Sequence, residues 1–143
     1  MEATHSKTLA IETGVACNNR CVFCYQSGYR RLPGFPRQLP ADEVRARMRW
    51  GVDNGFDEVS FTGGEPTLRP DFLDLIRHAR ELGYRRVAVT TNGSMLARPP
   101  FFEAAVEAGL TSMGVSVHGC TPEVHDALTG RSGSFVRALH AIR

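Results

Sequence analysis

Lysine is almost missing from this chain: of 17 basic residues only Lys7 is a lysine, and with 15 acidic residues the formal net charge is only +2. The arginines are scattered, as in Arg30-Arg31, Arg45-Arg47-Arg49 and Arg85-Arg86, with no sustained basic run. That spacing argues against a nucleic-acid-binding arm, where basic residues concentrate. No apolar run approaches the roughly 18 residues that a membrane span requires, and the leading MEATHSKTLAIE has no long apolar core of a signal peptide. A cytoplasmic protein without a membrane partner is expected. Internal repeats and low-complexity tracts are absent as well. Tryptophan occurs once, at Trp50, where it is expected to pack a helix against a sheet. The rest is ordinary: 143 residues, 42% hydrophobic and 22% charged, suffice for one domain with a real core.

Strand-like and helix-like segments alternate along that length, the pattern of βα units on a parallel sheet. Strands are predicted over 8–13 (TLAIET), 58–64 (EVSFTGG), 85–93 (RRVAVTTNG) and 112–119 (SMGVSVHG), with a loop over 25–40. A helix is expected after Pro40, with Asp42 and Glu43 in its first turn and Val44, Met48 and Val52 on one stripe. The clearest helix is 71–83, where Phe72, Leu75, Ile76, Ala79 and Leu82 share a face and Gly83 provides the stop. Further helical segments are expected over 101–108, over 122–128 as a short turn, and after Gly133 with Phe135, Leu139 and Ile142 on one side. The last of these runs to Arg143 without a stop signal, and a fourth strand without a fifth leaves a sheet edge unpaired, so truncation at the C-terminus is expected. In parallel α/β sheets ligands gather at the carboxyl ends of the strands. The unusual clusters of this sequence all fall there: the cysteines, TGGEP (62–66), TTNG (90–93) and SVHG (116–119).

Three of the four cysteines lie within 17-CNNRCVFC-24. A disulfide framework fits poorly, because Cys120 is the only distant partner. Clustered thiols in a reducing compartment bind metal or carry out redox chemistry more often. A structural zinc site asks for four ligands, and the loop supplies three. A [4Fe–4S] cluster held by three cysteines would leave one iron open to an outside ligand.

Cys17-x-x-x-Cys21-x-Phe23-Cys24, joined to Gly63-Gly64-Glu65-Pro66 at the next strand end, resembles the radical S-adenosylmethionine (radical SAM) superfamily. The resemblance continues through Thr91-Asn92-Gly93 and Ser116-Val117-His118-Gly119 to 125-HDALTGRSGSF-135, so it covers nearly the whole chain from Thr8 onward. It implies an α/β fold, a partial (β/α) barrel of parallel strands with about four βα units of the family's usual six. It also implies that Cys17, Cys21 and Cys24 bind a [4Fe–4S] cluster whose open iron is chelated by S-adenosylmethionine. One electron from the reduced cluster then cleaves the sulfonium, and a 5′-deoxyadenosyl radical abstracts hydrogen from the substrate. By the same resemblance Gly63, Gly64 and Glu65 receive the methionine amino group, Phe23 lies near the adenine and Ser116 contacts ribose or carboxylate. Asn92, with Thr90, stands at a strand end where it serves cofactor or substrate. This chain has His118 where many relatives carry an acid. The HDALTGRSGSF continuation looks most like enzymes that modify peptides or build redox cofactors and tetrapyrroles, and a one-electron donor such as a flavodoxin or ferredoxin is the implied partner.

Other classes remain open on the sequence: an iron–sulfur electron-transfer module without S-adenosylmethionine chemistry, a structural zinc protein, an inactive fragment, or a barrel completed by a second chain. The remaining signals have plainer readings. Cys120 is expected to be a small buried or semi-buried residue, and His125-Asp126 to cap and position the short helix. His118 either acts near the site or organises its loop. His5, His78 and His140 read as surface or tail residues. Arg30, Arg31 and Arg37 read as solvated, with the alternative that they meet an acidic substrate.

Overall fold

The computed structural model describes residues 6–143; His5 lies outside them. Strands β1 (Thr8–Glu12), β2 (Glu58–Thr62), β3 (Arg86–Thr91) and β4 (Ser112–Val115) form one sheet in the order β1-β2-β3-β4, every pair parallel. Helices α1 (Ala41–Asp53), α2 (Phe72–Glu81) and α3 (Pro99–Ala108) provide the crossovers, and α4 (Pro122–Thr129) and α5 (Ser134–Ile142) follow β4. This is the expected α/β architecture, four βα units in a partial barrel.

β2 and β3 read as near-continuous apolar runs because parallel strands are covered on both faces: Val59, Phe61, Val87 and Val89 are fully buried. From the helices, Val44, Met48, Phe72, Leu75 and Ile76 complete the core, each at 1% exposure or less. Burying a side chain of this size contributes about 1.5–3 kcal/mol before entropy is subtracted. α3 starts two residues earlier than its apolar pattern indicates, because Pro99 and Pro100 occupy its first turn, where a missing N–H costs nothing.

Three expectations need correction. The fourth strand ends at Val115, so Ser116 to Gly119 form a loop beyond the sheet. Trp50 does not pack against the sheet; it is 54% exposed, its ring 5.7 Å from that of Phe56. α5 buries Ala138 and Ala141, while Ile142 is 53% exposed. The helix lies so close to the turn after β3 that a Cβ on Gly93 would stand 3.1 Å from Ala141 Cβ and 3.2 Å from Ala138 Cα. Only small side chains fit that face.

Candidate metal centre at the carboxyl ends of the strands

Backbone contacts with three neighbours set the cysteine loop. On one side it meets the turn after β2: Gly64 N–H donates to Gly14 O at 2.8 Å and Glu65 N–H to Ala16 O at 2.7 Å. A Cβ on Gly64 would stand 2.2 Å from Ala16 O, and one on Gly63, whose φ is +118°, 2.5 Å from Gly14 O. The Gly-Gly pair is therefore required by two loops in backbone contact, whatever else it serves. On a second side Val15 and Ala16 donate to Arg37 O at 2.9 and 2.8 Å. On the third, Arg20 and Val22 donate to Thr129 O and Leu128 O at 2.8 and 3.0 Å, tying the loop to the end of α4.

The HDALTGRSGSF segment holds that clamp in place. Asp126 accepts the N–H groups of Gly133 (2.6 Å) and Phe135 (2.9 Å) and the Ser134 hydroxyl (2.9 Å), so it caps α5 rather than α4. These bonds hold its carboxyl below the usual carboxylate range, the Phe135 N–H most of all. His125 is 1% exposed, and its Nδ1 accepts the His118 N–H at 3.1 Å. Burial pushes its pKa down. The His118 ring stands 4.7 Å from Phe23 and 5.8 Å from His125. His118 thus organises its loop as well as facing the pocket.

One pocket gathers all four strand ends. Cys17, Cys21 and Cys24 line it together with Gly63 and Gly64 after β2, Thr90 and Asn92 at the end of β3, and Ser116 and His118 after β4. Burial pushes the Cys17 and Cys21 thiols up, opposed at Cys17 by the Asn19 N–H, which donates to its sulfur at 3.4 Å. Among the described residues no three His, Cys, Asp or Glu side chains converge as they would around a single ion.

Phe23 and Glu65 are outside the lining residues. Phe23 is 54% exposed, edge-on to His118. Glu65 is 2% exposed and satisfied within the protein: Oε1 accepts from Thr67 N–H (3.2 Å), Thr67 Oγ1 (2.6 Å) and Thr91 Oγ1 (2.7 Å), and Oε2 from Asn92 N–H (2.6 Å). The Asn92 amide donates to Asn18 Oδ1 at 2.7 Å and its oxygen accepts the Ser94 N–H at 3.0 Å. Its side chain links the cysteine loop to β3.

Several residues escaped the sequence reading. Arg69, 5% exposed, donates through Nη1 to Thr13 O (3.0 Å) and Leu39 O (2.9 Å) and pairs with Asp71, pinning the base of the cysteine loop. Asn18 completes the Asn92–Ser94 network. Arg30 is half-buried and turns to the cysteines instead of solvent, its Nη2 3.0 Å from Cys24 Sγ. No periodicity or composition marks such contacts. Cys120, expected buried or semi-buried, is exposed and outside the pocket lining.

A family model described as the radical SAM superfamily matches residues 11–143, and the chain belongs to that superfamily. Over 116 residues it is 42% identical to the GTP 3′,8-cyclase of Edwardsiella ictaluri (strain 93-146), covering 80% of this chain and 35% of that protein. It is also 38% identical over 129 residues to the GTP 3′,8-cyclase of Limosilactobacillus fermentum, covering 88% of this chain and 37% of that one. The chain thus spans little more than a third of the length of these relatives. In fold it resembles the crystal structure of Streptococcus suis SuiB bound to S-adenosylmethionine, with a TM-score of 0.67 at 24% identity over 89% of this chain and 27% of that one.

Proposed function

We propose that this chain forms the part of a radical SAM enzyme that holds a [4Fe–4S] cluster and S-adenosylmethionine, with Cys17, Cys21 and Cys24 as the cluster ligands. The observation that carries this reading is three thiols lining one pocket with Gly63, Gly64 and Ser116 from the neighbouring strand ends. A cube of irons takes one thiolate per corner, and thiolates are its usual ligands. When bound and reduced, such a cluster supplies one electron to the sulfonium of S-adenosylmethionine, releasing methionine and a 5′-deoxyadenosyl radical that takes a hydrogen atom from substrate.

The chain's own groups bind and orient. Gly63 and Gly64 bring backbone to the pocket wall, where carbonyl oxygens suit the methionine ammonium. Ser116 lines the pocket after β4 as a polar contact for ribose or carboxylate. Glu65 and Asn92 act by holding the ends of β2 and β3 together beneath the ligand, and Phe23 shields the mouth beside His118. A flavodoxin- or ferredoxin-type protein is the proposed electron donor. For the substrate, a cofactor precursor of nucleotide type is favoured over a peptide, because identity is higher to proteins named GTP 3′,8-cyclase than to SuiB, whose structure with the precursor peptide SuiA is 24% identical.

Iron and sulfide content after anaerobic reconstitution tests the ligand set. About four of each per chain is expected, falling sharply in C17A, C21A and C24A but not in C120A. Zinc without sulfide, or a C120A loss equal to the others, would overturn it.

A further inference from the structure

Arg30 belongs to the short 3₁₀ turn Tyr29–Arg31, six residues beyond the last cysteine of the loop. Its guanidinium does not project into water. Nη2 donates to Cys24 Sγ at 3.0 Å, Nη1 donates to Asn19 O at 3.1 Å, and Nε is buried without a partner. Asn19, 6% exposed, in turn donates its N–H to Cys17 Sγ. One cation is therefore joined directly to Cys24 and, through the N–H and C=O of one residue, Asn19, to Cys17. Half-burying an arginine on a sulfur is costly unless the charge is used, since exposed arginines remain hydrated freely.

We propose that Arg30 is a positioning residue that raises the reduction potential of a cluster held by Cys17, Cys21 and Cys24, acting through the Cys24 sulfur. The proposal rests on the cluster reading above. Adding one electron to a thiolate-ligated cluster adds one negative charge to the site. A guanidinium hydrogen-bonded to a ligand sulfur stabilises the more negative state more than the oxidised one. Hydrogen bonds to the sulfurs and local charge are among the factors that set such potentials. Arginine stays protonated throughout the accessible pH range, so the effect is a fixed bias. The fork also fixes geometry, because Nη1 holds the Asn19 carbonyl while Nη2 holds Cys24.

The test is an electron paramagnetic resonance-monitored redox titration of the full chain, anaerobically reconstituted with iron and sulfide and poised with dithionite, without S-adenosylmethionine or substrate. Wild type is compared with R30M, which removes charge and donors, and R30K, which keeps the charge. R30M is expected to lower the ratio of reduced to oxidised cluster at a given poise about tenfold, a downward shift of about 59 mV for one electron. R30K is expected to recover most of that shift. Loading of R30K but not R30M would overturn the assignment, because the charge would then serve to assemble the cluster and not to set its potential. It is overturned if R30M titrates with wild type, if R30K and R30M shift equally, or if both lose the cluster while circular dichroism is unchanged. Failure of the wild-type chain to take up any cluster would overturn the cluster reading itself, and this assignment with it.

Discussion

Glu65 accepts the backbone N–H of Asn92 at 2.6 Å, so one buried carboxylate joins the end of β2 to the end of β3. With Thr67 and Thr91 on its other oxygen, this residue acts on the scaffold before any ligand arrives. Glu65→Ala would leave buried donors unpaired and is expected to destabilise the iron-free chain by about 3 kcal/mol. Glu65→Gln must turn an amide N–H toward one of them and should lose about 1–2 kcal/mol. Urea denaturation without iron measures both. An unchanged midpoint for Glu65→Ala would mean the carboxylate is free to serve the ligand alone.

Gly64→Ala tests the contact between the two loops. The added methyl meets a backbone oxygen at 2.2 Å, and a backbone atom cannot turn aside as a side chain can. A loss of about 1–3 kcal/mol is expected from such overpacking, together with reduced iron loading. Full stability with full loading would contradict the contact as described.

Asp126→Ala removes the three bonds that cap α5, one from Gly133 before it and two from its first residues, Ser134 and Phe135. A lower urea midpoint is expected, as for the loss of a helix cap. Because the end of α4 holds Arg20 and Val22, amide exchange at those two residues should quicken as well. Faster exchange confined to α5 would show that the clamp does not depend on the cap.

The sheet was readable because β2 and β3 carry apolar runs flanked by glycine and because βα alternation permits few topologies. The convergence of cysteines, Gly63-Gly64, Asn92 and Ser116 follows from their position after parallel strands. What local patterns could not reveal were contacts that depend on how loops fold back. Arg69 reaches Thr13 and Glu65 turns inward to Asn92, both over long separations, where the motif alone placed Glu65 on the ligand, and Arg30 folds back within its own loop on Cys24. The face of α5 was misread because apolar periodicity marks Phe135, Leu139 and Ile142, whereas clearance over Gly93 admits only alanine.

His125 gives the stability a pH dependence of known sign. Its folded pKa is lowered below 6.5, first by burial and then by His118, with Asp126 opposing. The unfolded chain therefore takes up the proton first, and stability falls as pH drops through 6.5 toward the lower folded value. Asp126, lowered below 3.8, contributes stability above that pH and loses it only as pH falls further, so its loss begins at a lower pH than that of His125. Unfolding free energies between pH 7 and 5.5 should decline in the wild type and be flatter in His125→Asn. Equal slopes would remove His125 from the account.

The central claim is that three cysteines and the strand ends around them build a cluster site open to S-adenosylmethionine. Electron paramagnetic resonance of the reconstituted, reduced chain, recorded with and without S-adenosylmethionine, tests it most directly. The account predicts a [4Fe–4S]⁺ signal whose shape changes when S-adenosylmethionine is added, because the open iron gains a ligand. A cluster signal that ignores S-adenosylmethionine would contradict it and leave an electron-transfer site in its place.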